Sequence, residues 1–167
     1  MKKISIYKPT LKKAQALSDD MGTLKGSFTG GAGNMTGFLG ELALSNQLGY
    51  KHKGTTFNYN YDLKYHGLKI DVKSKGCTTE PLEHYEASVS GWNTKQKCDA
   101  YFFTRVHKDY STVWLLGWLP PKEFFDKASF VPQGQRDPSN GWLCRSGHYS
   151  VPIKELNSYE SLLQYNN

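Results

Sequence analysis

Thirteen residues near the middle of the chain, Tyr61-Asp62-Leu63-Lys64-Tyr65-His66-Gly67-Leu68-Lys69-Ile70-Asp71-Val72-Lys73, leave little freedom in how they can fold. Apolar and polar residues alternate on both sides of His66-Gly67, the pattern of two strands that share one buried face. A two-residue turn with glycine second suits a tight hairpin, although histidine is less favoured than Asn or Asp at its first position. The turn sets the register. Tyr65 faces Leu68, Leu63 faces Ile70 and Tyr61 faces Val72 on the apolar side. On the other side Lys64 faces Lys69, Asp62 faces Asp71 and Asn60 faces Lys73.

Directly opposed residues have Cβ atoms about 5 Å apart, and like charges placed there destabilise the pair. Two opposed aspartates therefore call for a reason. Two hard carboxylates side by side suit magnesium, which usually takes one or two carboxylates and completes its shell with water and phosphate. Lys73 lies two residues beyond Asp71 and points to the same face. Carboxylates, metal and ammonium together form a site able to hydrolyse a phosphodiester. The alternative is that both acids are solvated on the outer face of an antiparallel hairpin, where polar residues are common.

The segment before the hairpin reads as a helix over residues 34–48. Asn34 or Thr36 can cap its start, and Gly49 sits where helices often end left-handed. Met35, Phe38, Leu39, Leu42 and Ala43 form one apolar stripe at helical spacing. Glu41 projects at the border of that stripe and can reach a site on the sheet beneath. Taken alone, it is also an ordinary rim glutamate.

Glu41 in Gly40-Glu41-Leu42-Ala43-Leu44, Asp62 in Tyr61-Asp62-Leu63, and Asp71 and Lys73 in Ile70-Asp71-Val72-Lys73 together resemble the PD-(D/E)XK nuclease superfamily. That family carries a glutamate on a first helix, an aspartate on the next strand and D/E-X-K on the strand after it. Tyr61 stands here where the family often has proline. The resemblance implies an α/β (α+β) fold with a restriction-endonuclease-like core. This is a central mixed sheet of four to five strands, an antiparallel hairpin carrying the site, and flanking helices. It further implies Asp62, Asp71, Glu41 and the carbonyl of Val72 as magnesium ligands, with manganese able to substitute. Lys73 would orient or deprotonate the attacking water. No Q-X-X-X-Y helix follows Lys73, so the exonuclease branch that carries one is not supported.

The rest of the chain is read more coarsely. Strands are expected over residues 99–106, 111–118 and 149–153. A helix should start at Pro120-Pro121, and another is expected over 156–163. With 167 residues, one domain with one core is expected over 1–167. Residues 1–25 would form a basic N-terminal arm or a weakly amphipathic helix. Tyr59, Tyr61 and Tyr65 alternate in one strand and are expected to pack in the core. No apolar run approaches the roughly 20 residues that span a bilayer, and the N-terminus lacks the apolar stretch of a secretory signal. The expectation is a cytoplasmic protein with no membrane partner. Cys77, Cys98 and Cys144 match no zinc-site spacing and are expected to be free thiols.

Charge points to a polyanionic partner. Residues 1–75 hold 12 Lys against five acids, a balance of +7, and residues 76–167 hold nine Lys or Arg against ten acids, a balance of −1. Three of the five acids in the basic half are Glu41, Asp62 and Asp71. DNA, duplex or branched, is the expected partner, bound through its phosphates. Expected contacts are Lys25 and Asn34 in the glycine-rich Lys25–Asn34 segment, then Lys75, and then Lys95 and Lys97 beside Trp92. Glycine-rich backbone before a helix can hold phosphate oxygens, or serve only as a flexible link. The expected function is a magnesium-dependent endonuclease of low sequence specificity or guided by DNA structure. The alternative is a nuclease-fold DNA-binding protein with weak or no catalysis. A homodimer would suit cutting of both strands.

Overall fold

The computed structural model describes residues 1–22, 32–50, 52, 59–136, 141 and 143–164. The chain starts with strand β1 (Lys2–Ser5) and helix α1 (Lys8–Met21), followed by helix α2 (Ala32–Gln47). The hairpin is β2 (Leu63–Tyr65) and β3 (Leu68–Cys77). Strand β4 (Glu86–Ser90), strand β5 (Ala100–His107) and strand β6 (Thr112–Leu119) follow. Helix α3 (Pro121–Lys127), strands β7 (Ser129–Val131) and β8 (His148–Pro152), and helix α4 (Tyr159–Leu163) complete the order.

Five strands form one mixed sheet in the order β1-β6-β5-β3-β2, and three form a second sheet in the order β4-β8-β7. Among the described strand pairs, only β3 and β5 run parallel. Alternation along β5 shows how the sheet is covered. Ala100, Phe102 and Val106 pack with Phe38, Leu39 and Leu42 of α2 and with Leu162 of α4. Tyr101 and Phe103 face the other way, onto Ala87 and Val89 of β4, Val151 of β8 and Phe124 of α3. Both faces of β5 are therefore buried, as its nearly continuous apolar sequence requires.

The fold is thus α+β with a mixed five-stranded sheet, as expected. Helices cover one face, whereas the other is covered largely by a second small sheet, so helices alone do not flank it. Residues 2–5 are not a loose arm. They pair with β6 as an edge strand, and α1 packs on α2. At Gly40 helix α2 comes so close to the sheet that an added Cβ would collide with the hydroxyls of Ser74 and Thr104. Those two hydroxyls are bonded to each other at 2.8 Å.

The hairpin register agrees with the sequence through Leu63↔Ile70, Lys64↔Lys69 and Tyr65↔Leu68. His66 and Gly67 have φ values of 45° and 90°, the left-handed pair a tight turn needs. Beyond Leu63 the ladder stops, contrary to the expected pairing of Tyr61 with Val72 and Asn60 with Lys73. The Asp62 amide bonds the Ile70 carbonyl at 2.9 Å. The Asn60 carboxamide oxygen instead accepts the Lys97 amide at 3.1 Å. Tyr59 is 54% exposed rather than packed in the core. Among the described residues, no helix is long and apolar enough to cross a membrane.

Candidate active site

Strand β3 sorts its side chains by parity. Ile70 and Val72 enter the core beneath the helices. Asp71 and Lys73 point to the opposite face, where the Lys73 ammonium lies 5.6 Å from the Tyr101 ring centre. The Asp71 carboxylate pairs with the Lys73 ammonium, and both groups are largely buried, with 5% and 14% of their side chains exposed.

Asp62 reaches the same strand end by a different route. Its carboxylate accepts the Val72 amide at 2.7 Å, so the side chain replaces the backbone acceptor that a longer β2 would have supplied. Asp62 and Asp71 are consequently not a directly opposed ladder pair, as the sequence register implied, but Asp71 remains close enough to raise the proton affinity of Asp62. Glu41 comes from α2, one residue past the close approach at Gly40. Its Oε2 lies 3.0 Å from Nε2 of the buried His52.

The three carboxylates share one electrostatic problem. Burial pushes the Asp62 carboxyl well up, and the charges of Glu41 and Asp71 push it further, against the Val72 amide and Lys73. Burial, with a smaller contribution from Asp71, raises Glu41 to about 8. Burial also raises Asp71, opposed by the Lys73 charge and by hydrogen bonds from Lys73 and Gln96. His52 is lowered by burial and by Lys13. Both shifts favour the uncharged form of this pair. All three acids pay for lost hydration, and among the described residues one ammonium, that of Lys73, pairs with one of them, Asp71.

Two residues of this cluster were not singled out in the sequence. Gln96 donates from Nε2 to Asp71 at 2.8 Å and to the Tyr59 carbonyl at 2.8 Å, and its Oε1 accepts from Lys73 at 2.8 Å. It clamps the two ends of the Asp71–Lys73 pair. The signal available was its place in Trp92-Asn93-Thr94-Lys95-Gln96-Lys97, a stretch noted for its lysines rather than its amide. His52 sits in a polar stretch without periodicity, and no local pattern marks it.

The expected nucleic-acid contacts are scattered. Lys95 and Lys97 are exposed in the segment that carries Gln96. Lys75 is exposed on the Asp71–Lys73 face of β3, its ammonium 3.5 Å from the Ser88 hydroxyl. Asn34 is used internally, donating to the Gly22 carbonyl at 2.7 Å. Lys25 lies outside the described residues, as does most of the glycine-rich segment that contains it. The cysteines are free. Cys98 is near the site, and burial, with the Asp71 charge adding to it, pushes its thiol up to about 12, which leaves it a poor nucleophile.

Among the described residues, no three His, Cys, Asp or Glu side chains are drawn together as a ready metal-ligand set. No family model matches the chain, and no curated protein matches it.

Proposed function

We propose that the chain is a magnesium-dependent nuclease that hydrolyses DNA phosphodiester bonds. The fold would be restriction-endonuclease-like, as the PD-(D/E)XK resemblance implies, and cutting endonucleolytic, with low sequence specificity or guidance by DNA structure. One observation carries this reading. Three largely buried carboxylates, Glu41 from α2, Asp62 from the bend before β2 and Asp71 from β3, lie near one end of β3 beside a buried lysine, with Asp71 raising the proton affinity of the other two. Evolutionary drift aside, a stability-driven sequence would not keep three mutually repelling carboxylates there, because each costs hydration and gains too little in return.

The donor set suits a hard divalent cation, which would relieve that repulsion. Asp62, Asp71, Glu41 and the Val72 carbonyl would hold magnesium or manganese. Bound there, the ion would supply a Lewis acid and a water of lowered pKa. The chain's own groups would do the rest. Lys73 would turn its ammonium from Asp71 toward the phosphate, placing positive charge where negative charge develops. Gln96, bonded to both partners, would hold Lys73 in line as that exchange takes place. Glu41, bonded to His52, would hold the attacking water.

The test is cleavage of plasmid and labelled oligonucleotides with magnesium or manganese against EDTA, comparing wild type with Asp71→Asn and Lys73→Ala. Cation-dependent cutting that is lost in both variants is expected. Cutting that survives both would sink the assignment. The closed Asp71–Lys73 pair and the lack of a gathered ligand set favour a second reading, a nuclease-fold protein that binds DNA with weak or no catalysis. On that reading Asp71→Asn would improve DNA binding by removing repulsion, and no cation would promote cutting.

A further inference from the structure

Beyond Lys73, the next residue of β3 on the same face is Lys75, which the parallel ladder sets beside Arg105 of β5. Lys73, Lys75 and Arg105 line a cleft of about 100 Å³ between the two sheets, with Glu86 and Ser88 of β4 on its far wall. One water needs about 10–15 Å³ of such space, so the cleft has room for a tetrahedral anion and part of its hydration.

Arg105 is the unexplained residue here. It is only 9% exposed. A guanidinium carries five N–H donors in a planar fork. One nitrogen of Arg105 donates to the Glu86 carbonyl at 2.5 Å, and the others meet no protein acceptor among the described residues. The Glu86 carboxylate acts on it through space but forms no ion pair with it. A largely buried cation whose nearby carboxylate acts only through space can still take a direct counter-charge on its remaining donors, and the fork geometry matches the paired oxygens of a phosphate.

We propose that Arg105, assisted by Lys75, forms a phosphate subsite that holds the nucleic-acid backbone beside the bond facing Lys73. The subsite rests on the nucleic-acid reading above. Two strand residues separate Lys75 from Lys73 by about 6.6 Å, so one strand of substrate laid along β3 would meet both. The bound phosphate would give Arg105 a directly hydrogen-bonded counter-charge, and would fix the register of the neighbouring phosphodiester at Asp71 and Lys73. A free phosphate ion offers the same chemistry, and the two sources are separable.

The experiment measures binding of a labelled oligonucleotide by fluorescence anisotropy in EDTA across a range of NaCl, for wild type, Arg105→Gln, Arg105→Lys and Ser88→Asp. Losing one phosphate contact should reduce the slope of log affinity against log salt by about one. That loss is expected for Arg105→Gln. Ser88→Asp should match it, because its carboxylate would occupy the cleft while Arg105 remains, and this variant answers the question even if Arg105→Gln fails to fold. Arg105→Lys should keep the slope and bind severalfold more weakly. A wild-type slope in folded Arg105→Gln or Ser88→Asp overturns the subsite. So does Arg105-dependent binding of inorganic phosphate with an unchanged DNA slope, which would mark a free-anion site. DNA bound through Arg105 but never cut would sink the hydrolase reading and leave the subsite standing. Cutting by a protein whose slope ignores Arg105 would do the reverse.

Discussion

Replacing Glu41 with Gln should stabilise the protein when no divalent cation is present. Glu41 rises from the ordinary 4.5 to about 8 in the folded state. An acid whose folded pKa lies above its unfolded value contributes stability below the unfolded pKa and loses it as pH climbs through the folded one. The window here runs from about pH 4.5 to about 8. At about 1.36 kcal/mol per tenfold change in proton affinity, the full loss across that window is up to about 5 kcal/mol, and at pH 7 about 3 kcal/mol. Relaxation of the site and water entry reduce this, so about 1–3 kcal/mol is the working figure. Gln removes the titration, keeps the volume and still offers His52 a hydrogen-bond partner. For a chain of this length each kcal/mol moves Tm by about 2–4 °C, so Glu41→Gln should raise Tm at pH 7.5 by about 3–10 °C in EDTA. At pH 5 the gain should shrink toward zero. Thermal denaturation followed by circular dichroism at several pH values measures both. Magnesium should stabilise wild type more than the variant, because a ligand that binds only the folded state adds stability by mass action. A variant no more stable than wild type at pH 7.5, together with wild-type stability that is flat from pH 5 to 8, would refute the electrostatic account of the site.

Other expectations follow from individual contacts. Gly40→Ala should lower Tm by about 3–10 °C, because overpacking there costs about 1–3 kcal/mol and must break the Ser74–Thr104 hydrogen bond; a scan within 1 °C of wild type would show that the helix can lift without cost. Gln96→Ala should lower kcat while leaving the salt dependence of DNA binding unchanged, since Gln96 acts through Asp71 and Lys73 rather than on phosphate; an altered salt slope would give it a different role. Cys98 should react with a disulfide reagent at pH 8 far more slowly than a free thiol, because its raised pKa leaves little thiolate; reaction at the free-thiol rate would contradict its placement.

What the sequence reveals here depends on periodicity. The hairpin and α2 are legible because each repeats apolar residues at a strand or helix period, and β5 because its apolar run is nearly continuous. Gly49 at φ 65° ends its helix as expected. Strand β4, Glu-Ala-Ser-Val-Ser, buries only Ala87 and Val89 between small polar residues, too weak a pattern to separate from a loop. Strand β1 hides behind its lysines. Three of the four family-like residues lie on long elements that carry their own pattern; Asp71 and Lys73 are in direct contact, and Glu41 and Asp62 feel the Asp71 charge. The exact relation of Asp62 to Asp71 was not legible, because a side chain taking the place of a backbone acceptor leaves no trace in hydrophobic order. Gln96 and His52 are visible only in space, since each joins groups 11 to 37 residues away through single hydrogen bonds.

The ladder that ends at Leu63 has a consequence for how copies of this chain can meet. Every border strand of the two described sheets is short: four residues in β1, three in β2, five in β4 and three in β7. Lysines mark two of these borders, Lys2 and Lys3 on β1 and Lys64 on β2. Short, charged borders offer few free amides for a neighbouring strand to zip onto. The carboxylate of Asp62 has already claimed the next amide in line. Among the described strands, these four short borders therefore give a second copy little ladder to extend.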